Sequence, residues 1–191
     1  MCENYQEVQR LLGIGFSIYK NSKYRTGYGV SANTIFSIMN NEDFSRDVFH
    51  HYSSKVNKHE NRNWITEEGI AYLWGNAYYT DPDGEMITHQ KLVNELKKHL
   101  SENPDVELLN LFENDINIFN HIAPEISVRS TISGVIANQV EKLKGADGIS
   151  KLINAGSENQ LDNFLKTTNL LLRINKENFN LKVKELLNSN H

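Results

Sequence analysis

The chain has 191 residues, 39% of them hydrophobic and 23% charged, and its formal net charge is −4. These values predict one domain, 1–191, with enough apolar side chains to bury a sizeable core in water. The negative charge and the lack of a polybasic run argue against nucleic acid as a partner, and no apolar stretch approaches the ~20 residues of a membrane-spanning helix.

The N-terminal residues predict a short helix, because Val8, Leu11 and Leu12 have helical spacing before Gly13. No signal-peptide pattern precedes this helix. We expect the chain to be soluble and to be the C-terminal part of a longer protein. Its compartment stays open, with export of the parent protein as one option. The single Cys2 has no partner for an internal disulfide and is interpreted as an incidental thiol.

The amino-acid composition changes at 24–39, where glycines are mixed with β-branched and aromatic residues. This composition is typical of strands and tight turns, and it predicts one or two strands, the clearer one at 34–39. No other part of the chain has comparable strand signals. The predicted fold class is therefore mainly α with a small β element, a short edge segment around 24–39.

Two helices are predicted next. Helical spacing of apolar residues extends over 43–56, and a short basic linker occupies 57–62. The second helix is predicted to begin at Thr66, a residue type that caps helix N-termini, and to end near Ala77, before turn residues at 81–84. On the first helix one face carries Phe44, Val48, Phe49 and Tyr52, and a second face carries Asp47, His50 and Ser54.

Helical segments fill the remainder of the chain. Gly145 is predicted to stop a long buried helix, because glycine tolerates backbone conformations that end helices. Ser157 and Gln160 have the spacing of a capping box, in which each side chain bonds to the other residue's amide. The predicted segments are 88–101, 106–113, 115–120, 126–143, 147–154, 158–172 and 176–187.

The residues with the most chemical information are Arg46-Asp47-Val48-Phe49-His50, followed by Glu68 within Trp64-Ile65-Thr66-Glu67-Glu68-Gly69-Ile70-Ala71. Glu68 lies 18 residues after His50. The order of strand, helix, linker and second helix resembles the gluzincin zinc metallopeptidases, the thermolysin and aminopeptidase-like group also labelled peptidase MA-like. In that family both histidines of H-E-x-x-H and a glutamate roughly twenty residues onward hold zinc. The resemblance covers about two thirds of the chain, 30–155.

The resemblance implies a role for each matching position. Arg46 stands at the first zinc ligand, Asp47 at the catalytic base, His50 at the second ligand and Glu68 at the third. It also implies a helical metallopeptidase core, with a degenerate motif region at 24–80 and a helical subdomain at 81–191. The segment 127–145 resembles the later core helix of that family.

The substitutions change what such a site can do. Arginine stays protonated and has no lone pair for zinc, so Arg46 cannot be a ligand. Asp47 is one methylene shorter than glutamate and would reach a metal-bound water less well. The sequence therefore predicts a noncatalytic domain without a cofactor, in which the Arg46 guanidinium replaces the charge of the metal by pairing with Glu68 or Asp47.

Two alternatives remain open. A second register would place the motif at His50-His51-Tyr52-Ser53-Ser54, but it loses more of the zinc chemistry because serine replaces the second ligand. The second alternative is an active or weakly active zinc-dependent hydrolase with an atypical site, in which His50, Glu68 and Asp47 act together and Glu67 supplements the ligands. Zinc is expected only under that reading.

A binding cleft is predicted beside the motif. Glu67, Tyr72 and Trp74 are its candidate residues, and the aromatic side chains suit either core packing or a groove for a peptide, protein or glycan. The oligomeric state is left open. Surface or capping roles are predicted for the scattered histidines His59, His89, His121 and His191.

Overall fold

This computed structural model describes residues 26–29, 34–37, 44–75, 78–79, 86–122 and 126–189. Seven α-helices occupy most of these residues. The mainly helical class predicted from the sequence is confirmed. The predicted N-terminal helix and the turn at 81–84 lie outside the described residues. The helices are α1 (Phe44–Val56), α2 (Trp64–Trp74), α3 (His89–Glu102), α4 (Leu108–Glu113), α5 (Val128–Ile153), α6 (Gln160–Leu172) and α7 (Phe179–Ser189).

Two short antiparallel ribbons accompany the helices. Thr26–Gly29 (β1) pairs with Thr34–Ser37 (β2), and Tyr78–Tyr79 (β3) pairs with Met86–Ile87 (β4). β1 and β2 lie against α1. Each ribbon has two strands, and neither extends as a sheet across the helical core within the described residues. β1 and β2 lie within 24–39, the segment where the sequence predicts one or two strands. A gluzincin-like core stays a prediction.

The start of α2 differs from the sequence-based expectation. Asn63 Oδ1 accepts a hydrogen bond from the Thr66 amide at 3.2 Å, so Asn63 is the N-cap and the helix begins at Trp64. The predicted cap at Thr66 is wrong, because asparagine three residues earlier is the better cap and Thr66 is fully buried inside the first turn. The helix ends at Trp74 and not at Ala77.

The long helix α5 forms the centre of the core. Ile132, Val135, Ile136 and Val140 recur at helical spacing and are completely buried. Gly145 has a positive φ of 59° inside α5, which interrupts the helix between the predicted segments 126–143 and 147–154. The predicted break at Gly145 is confirmed, and helical structure resumes after it up to Ile153.

A cluster of three phenylalanines ties the C-terminal helices together. Phe112 on α4 lies 5.3 Å from Phe164 on α6 and 5.1 Å from Phe179 on α7, measured between ring centroids. All three side chains are fully buried. This contact joins segments that are far apart in sequence, and it belongs to one hydrophobic core that extends from Ile65 to Leu187.

The predicted helix at 115–120 is wrong. Asp115 has a left-handed backbone with φ of 47°, and its carboxylate accepts hydrogen bonds from Ser127 Oγ at 2.6 Å and the Arg129 amide at 3.1 Å. Asn117 Oδ1 accepts from the Phe119 amide at 2.7 Å. The Asn117 bond to a nearby main-chain amide competes with the helix, and Asp115 instead bonds to residues at the start of α5.

A belt of hydrogen bonds joins the linker before α2 to the turn before α6. The Asn63 amide donates to the Ile153 carbonyl at 2.7 Å, and the Gly156 amide donates to the Asn61 carbonyl at 2.8 Å. Ser157 belongs to this belt, because its amide and its hydroxyl both donate to the carbonyl of Glu60.

The Ser157 and Gln160 capping box is therefore wrong. Asn159 is the residue before α6, with a left-handed backbone and no side-chain cap. Gln160 Oε1 instead accepts from the Trp64 amide at 2.9 Å, across the belt. Both predicted capping side chains act between helices and not within one.

Within the described ranges, no helix has both the length and the apolar composition to cross a membrane.

Candidate functional site

The two helices of the motif, α1 and α2, run side by side in opposite directions. Ser53 near the end of α1 contacts Glu67 near the start of α2. At the other end, the Arg46 amide nitrogen lies only 2.7 Å from the point that a Cβ on Gly75 would occupy. A side chain at residue 75 would collide with the backbone of Arg46, so glycine there permits the close approach of the two helices.

His50 and Glu68 face each other across this contact. His50 Nε2 lies 3.3 Å from Glu68 Oε1, an ion-pair distance when the imidazole is protonated. The His50 side chain is 13% exposed and the Glu68 side chain 36%, so the pair lies at the edge of the packed region. The structure thus brings together the residues that the resemblance places at the second and third ligand positions.

Arg46 lies one turn before His50 on α1, with its residue half-buried. Its charge and that of Glu68 both act on the hydroxyl of Tyr72, in opposite directions. The predicted pairing of Arg46 with Glu68 stays a prediction. Asp47 belongs to α1, but its side chain is outside the described part of the structure, and its vestigial role as a base also stays a prediction.

Tyr72, predicted to line a cleft, is only 4% exposed. Its burial raises its pKa to about 12; Arg46 and the Ser127 amide oppose this rise, and Glu68 and Asp115 add to it. The Ser127 amide donates to the Tyr72 hydroxyl at 3.4 Å. The phenol therefore stays protonated near neutral pH and retains a hydrogen to donate.

Aromatic rings surround His50. The ring of Phe49 lies 5.7 Å from the imidazole and that of Trp64 lies 6.3 Å away, measured between centroids. Trp74, the other predicted cleft residue, meets Phe49 edge to face at 5.6 Å, and its indole N–H donates to Glu141 at 3.3 Å. Trp64 is 38% exposed and lies beside the His50 and Glu68 pair, whereas Trp74 is 48% exposed and is linked to His50 through Phe49.

Glu67 has partners of its own, away from that pair. Both of its carboxylate oxygens accept from Arg62, at 2.8 and 2.7 Å, and Ser53 Oγ also donates to it. The Glu67 side chain is completely buried and that of Arg62 is 7% exposed. The Arg62 guanidinium also lies 4.5 Å from the ring centroid of Trp64. Sequence reasoning placed Arg62 in a linker and missed this network, because the fork geometry of the pair depends on the fold.

The rotation of α2 explains why neighbouring glutamates have such different surroundings. Successive residues on a helix point about 100° apart, so Glu67 and Glu68 cannot face the same partner. Arg62 and Ser53 hold Glu67 inside the structure, and Glu68 is thereby left beside His50. The network around Glu67 is thus a positioning device for the candidate site.

The other face of α2 packs tightly on α5. A Cβ on Gly69 would lie 2.5 Å from Ser133 Oγ and 2.7 Å from the Gly134 amide nitrogen. Gly69 is the glycine in Glu67-Glu68-Gly69-Ile70-Ala71. Glycine fits this position because any side chain would collide with α5. Ser133 Oγ is buried there without a hydrogen-bond partner among the described residues.

His89 is a buried histidine that sequence reasoning assigned to a surface or capping role, and that prediction is wrong. The residue is 9% exposed, and its Nε2–H donates to the Thr131 carbonyl at 2.9 Å. Burial lowers the pKa of His89, and the bond to Thr131 opposes this effect. The imidazole is therefore neutral at neutral pH and packs against Gly134, where a Cβ would lie 2.5 Å from Nε2.

The described side chains do not supply a complete zinc donor set. Among the described residues, no group of three or more histidine, cysteine, aspartate or glutamate side chains is arranged to hold a metal ion. His50 and Glu68 are two donors, whereas protein zinc sites use three or four. Glu67, the third donor considered from the sequence, is held by Arg62 and Ser53.

No protein-family model, no curated protein and no solved structure matches this chain.

Proposed function

We propose that this chain is a noncatalytic relative of gluzincin metallopeptidases, which has a binding or structural role and works without a metal. The observation that supports this most directly is the 3.3 Å approach of His50 to Glu68. These residues match the second and third ligand positions of the family. Two donors about 2.1 Å from one tetrahedral zinc ion lie about 3.4 Å apart, so this distance supports the correspondence with the two ligand positions.

The chemistry of Arg46 supports the same proposal. A guanidinium at the position of the first ligand offers no lone pair and adds a fixed positive charge. In this proposal the guanidinium supplies the positive charge that a zinc ion supplies in the family. Histidine, arginine and glutamate side chains can therefore stabilise each other electrostatically where the family uses a metal.

The surface formed by α1 and α2 is the binding surface of this proposal. Trp64 presents a partly exposed ring next to the His50 and Glu68 pair, and Trp74 presents another beside Phe49. Exposed tryptophans near a charged pair suit a peptide or glycan, because rings provide stacking area and the charges orient polar groups. Tyr72 is buried beneath this surface and does not line it.

The second candidate, a zinc hydrolase with an atypical site, rests on the same proximity of His50 and Glu68. Zinc binding by two engineered variants separates the two candidates. Arg46→His rebuilds the pair of histidines in the preferred register, and Ser54→His rebuilds it in the alternative register, one turn after His50. Ser54→His is the matched control, because it adds one imidazole to the same helix.

The measurement is zinc content after dialysis against zinc, determined by elemental analysis, together with hydrolysis of a quenched fluorescent casein. We expect substoichiometric zinc and no hydrolysis for the wild-type protein and for Ser54→His. We expect one zinc per chain for Arg46→His. Stoichiometric zinc with hydrolysis in the wild-type protein would establish the second candidate. A folded Arg46→His variant that takes up no zinc would refute the correspondence with the gluzincin motif.

A further inference from the structure

An open groove lies between α5, α6 and α7, away from the α1 and α2 site. It encloses about 340 Å³, at the lower end of the range for binding clefts. Leu143 on α5, Leu170–Ile174 at the end of α6 and Leu186 on α7 contribute its apolar lining, and we call it the leucine groove. Leu143 is 60% exposed and Leu170 is 70% exposed.

The charge around the leucine groove is positive although the whole chain carries −4. Lys144, Arg173 and Lys182 line it, against one acid, Glu185. Lys182 pairs with Glu185 at 2.8 Å. Lys144 and Arg173 have no acidic partner among the residues that the structure describes. The local excess of positive charge therefore favours a negatively charged occupant.

Arg173 is held in an uncommon backbone conformation at this edge. Its φ is 61°, a left-handed value that arginine adopts less readily than glycine or asparagine. Its amide donates to the Asn169 carbonyl at 3.0 Å, and its carbonyl accepts from Asn178 Nδ2 at 2.8 Å. The backbone that carries the guanidinium is thus fixed on both sides, which keeps the charge at the groove.

We propose that the leucine groove binds an acidic amphipathic segment of a partner protein. Apolar side chains at helical spacing on the segment would cover Leu143 and Leu170, and aspartates or glutamates beside them would pair with Lys144 and Arg173. Grooves of this kind recognise the apolar face of a helix, and flanking charges set its orientation. This inference goes beyond the proposed function and does not depend on it, because no residue of the α1 and α2 site lines the groove.

The test is a selection with a display library of short random peptides on the immobilised full-length protein. An enriched peptide is then labelled, and its affinity is measured by fluorescence anisotropy. Leu170→Glu and Arg173→Asn remove an apolar wall and a charge, and asparagine tolerates the left-handed backbone. Leu181→Glu and Lys184→Glu are matched controls on α7, because both residues are exposed and neither lines the groove.

We expect enriched peptides that combine apolar and acidic residues. Leu170→Glu and Arg173→Asn should each weaken their binding by about tenfold or more, the controls should not, and affinity should fall as salt is added. Circular dichroism checks that each variant is folded. Enrichment of neutral or basic peptides, or binding that does not respond to Leu170→Glu, would overturn the proposal. A dimer of the chain that Leu170→Glu dissociates would also overturn it, by assigning the groove to a second copy.

Discussion

Replacement of Arg62 by methionine tests the hydrogen-bond network of Arg62, Ser53 and Glu67. The change removes two hydrogen bonds to Glu67, of 2.8 and 2.7 Å, and leaves a carboxylate that is completely buried with only Ser53 as a donor. It also removes the contact of the guanidinium with Trp64. Methionine keeps a similar volume, so packing changes little.

The expected cost follows from the burial of the pair. Removal of one partner of a buried ion pair destabilises a protein by about 3–5 kcal/mol, because the other charge is left uncompensated. The free energy of unfolding of a typical domain is roughly 5–15 kcal/mol, so this loss would be a large part of it. At about 2–4 °C per kcal/mol for a chain of this size, the Tm should fall by roughly 6–20 °C.

The assay is urea unfolding followed by far-ultraviolet circular dichroism. Lys182→Met is the matched control, because Lys182 and Glu185 also lie 2.8 Å apart but are 42% and 52% exposed. That exposed pair should contribute about 0–1 kcal/mol. The double variant Arg62→Met with Glu67→Met should recover most of the loss, since no buried charge then remains. A free energy of unfolding that falls no more in Arg62→Met than in Lys182→Met would show that the network does not hold α2 in place.

Three further predictions concern side chains packed against α5. Gly69→Ala should destabilise the protein by about 1–3 kcal/mol in urea unfolding, because its Cβ would lie 2.5 Å from Ser133 Oγ; an unchanged midpoint would contradict this packing. Ser133→Ala should be neutral or stabilise by about 1 kcal/mol in the same assay, because it removes a buried hydroxyl without a described partner; a loss of more than about 1 kcal/mol would show that the hydroxyl is bonded. Burial lowers the pKa of His89 in the folded protein below the ordinary histidine value of 6.5. The neutral imidazole therefore contributes fully to stability above that pH, and this contribution is lost as the pH falls towards the folded pKa. Melting curves from about pH 8 to about pH 5 should show this decline in the wild-type protein and in the exposed-site control His121→Gln, and a smaller decline in His89→Gln; equal declines in all three would count against it.

Local signals in the sequence were sufficient for much of the helical architecture. Apolar spacing predicted α1 and α3 to within about two residues, which is the usual uncertainty of helix ends. Gly145 also marks the interruption of α5 where it was expected. These features depend on residues within a few positions of each other, so they can be read without knowledge of the fold.

Several of the features that were misjudged are side chains that bond across helices. Ser157 and Gln160 have capping-box spacing, yet their partners are Glu60 and Trp64 on the other side of the belt. A hydroxyl or amide bonds to whichever group the fold brings near, and that group can be distant in sequence. His89 is a similar case, because only the packing of α3 on α5 shows that its imidazole is buried.

For the candidate site, too, some features follow from local sequence and others only from the fold. From the sequence alone came the helical character of the chain and the chemical reason that arginine cannot bind zinc. The correspondence of Arg46, Asp47, His50 and Glu68 with a zinc motif is a prediction from a family resemblance. Only the tertiary structure decided that Glu68 meets His50 while Glu67 turns inward to Arg62. The physical reason is that spacing determines which residues share a helix face, whereas the rotation of one helix against another determines what each face meets.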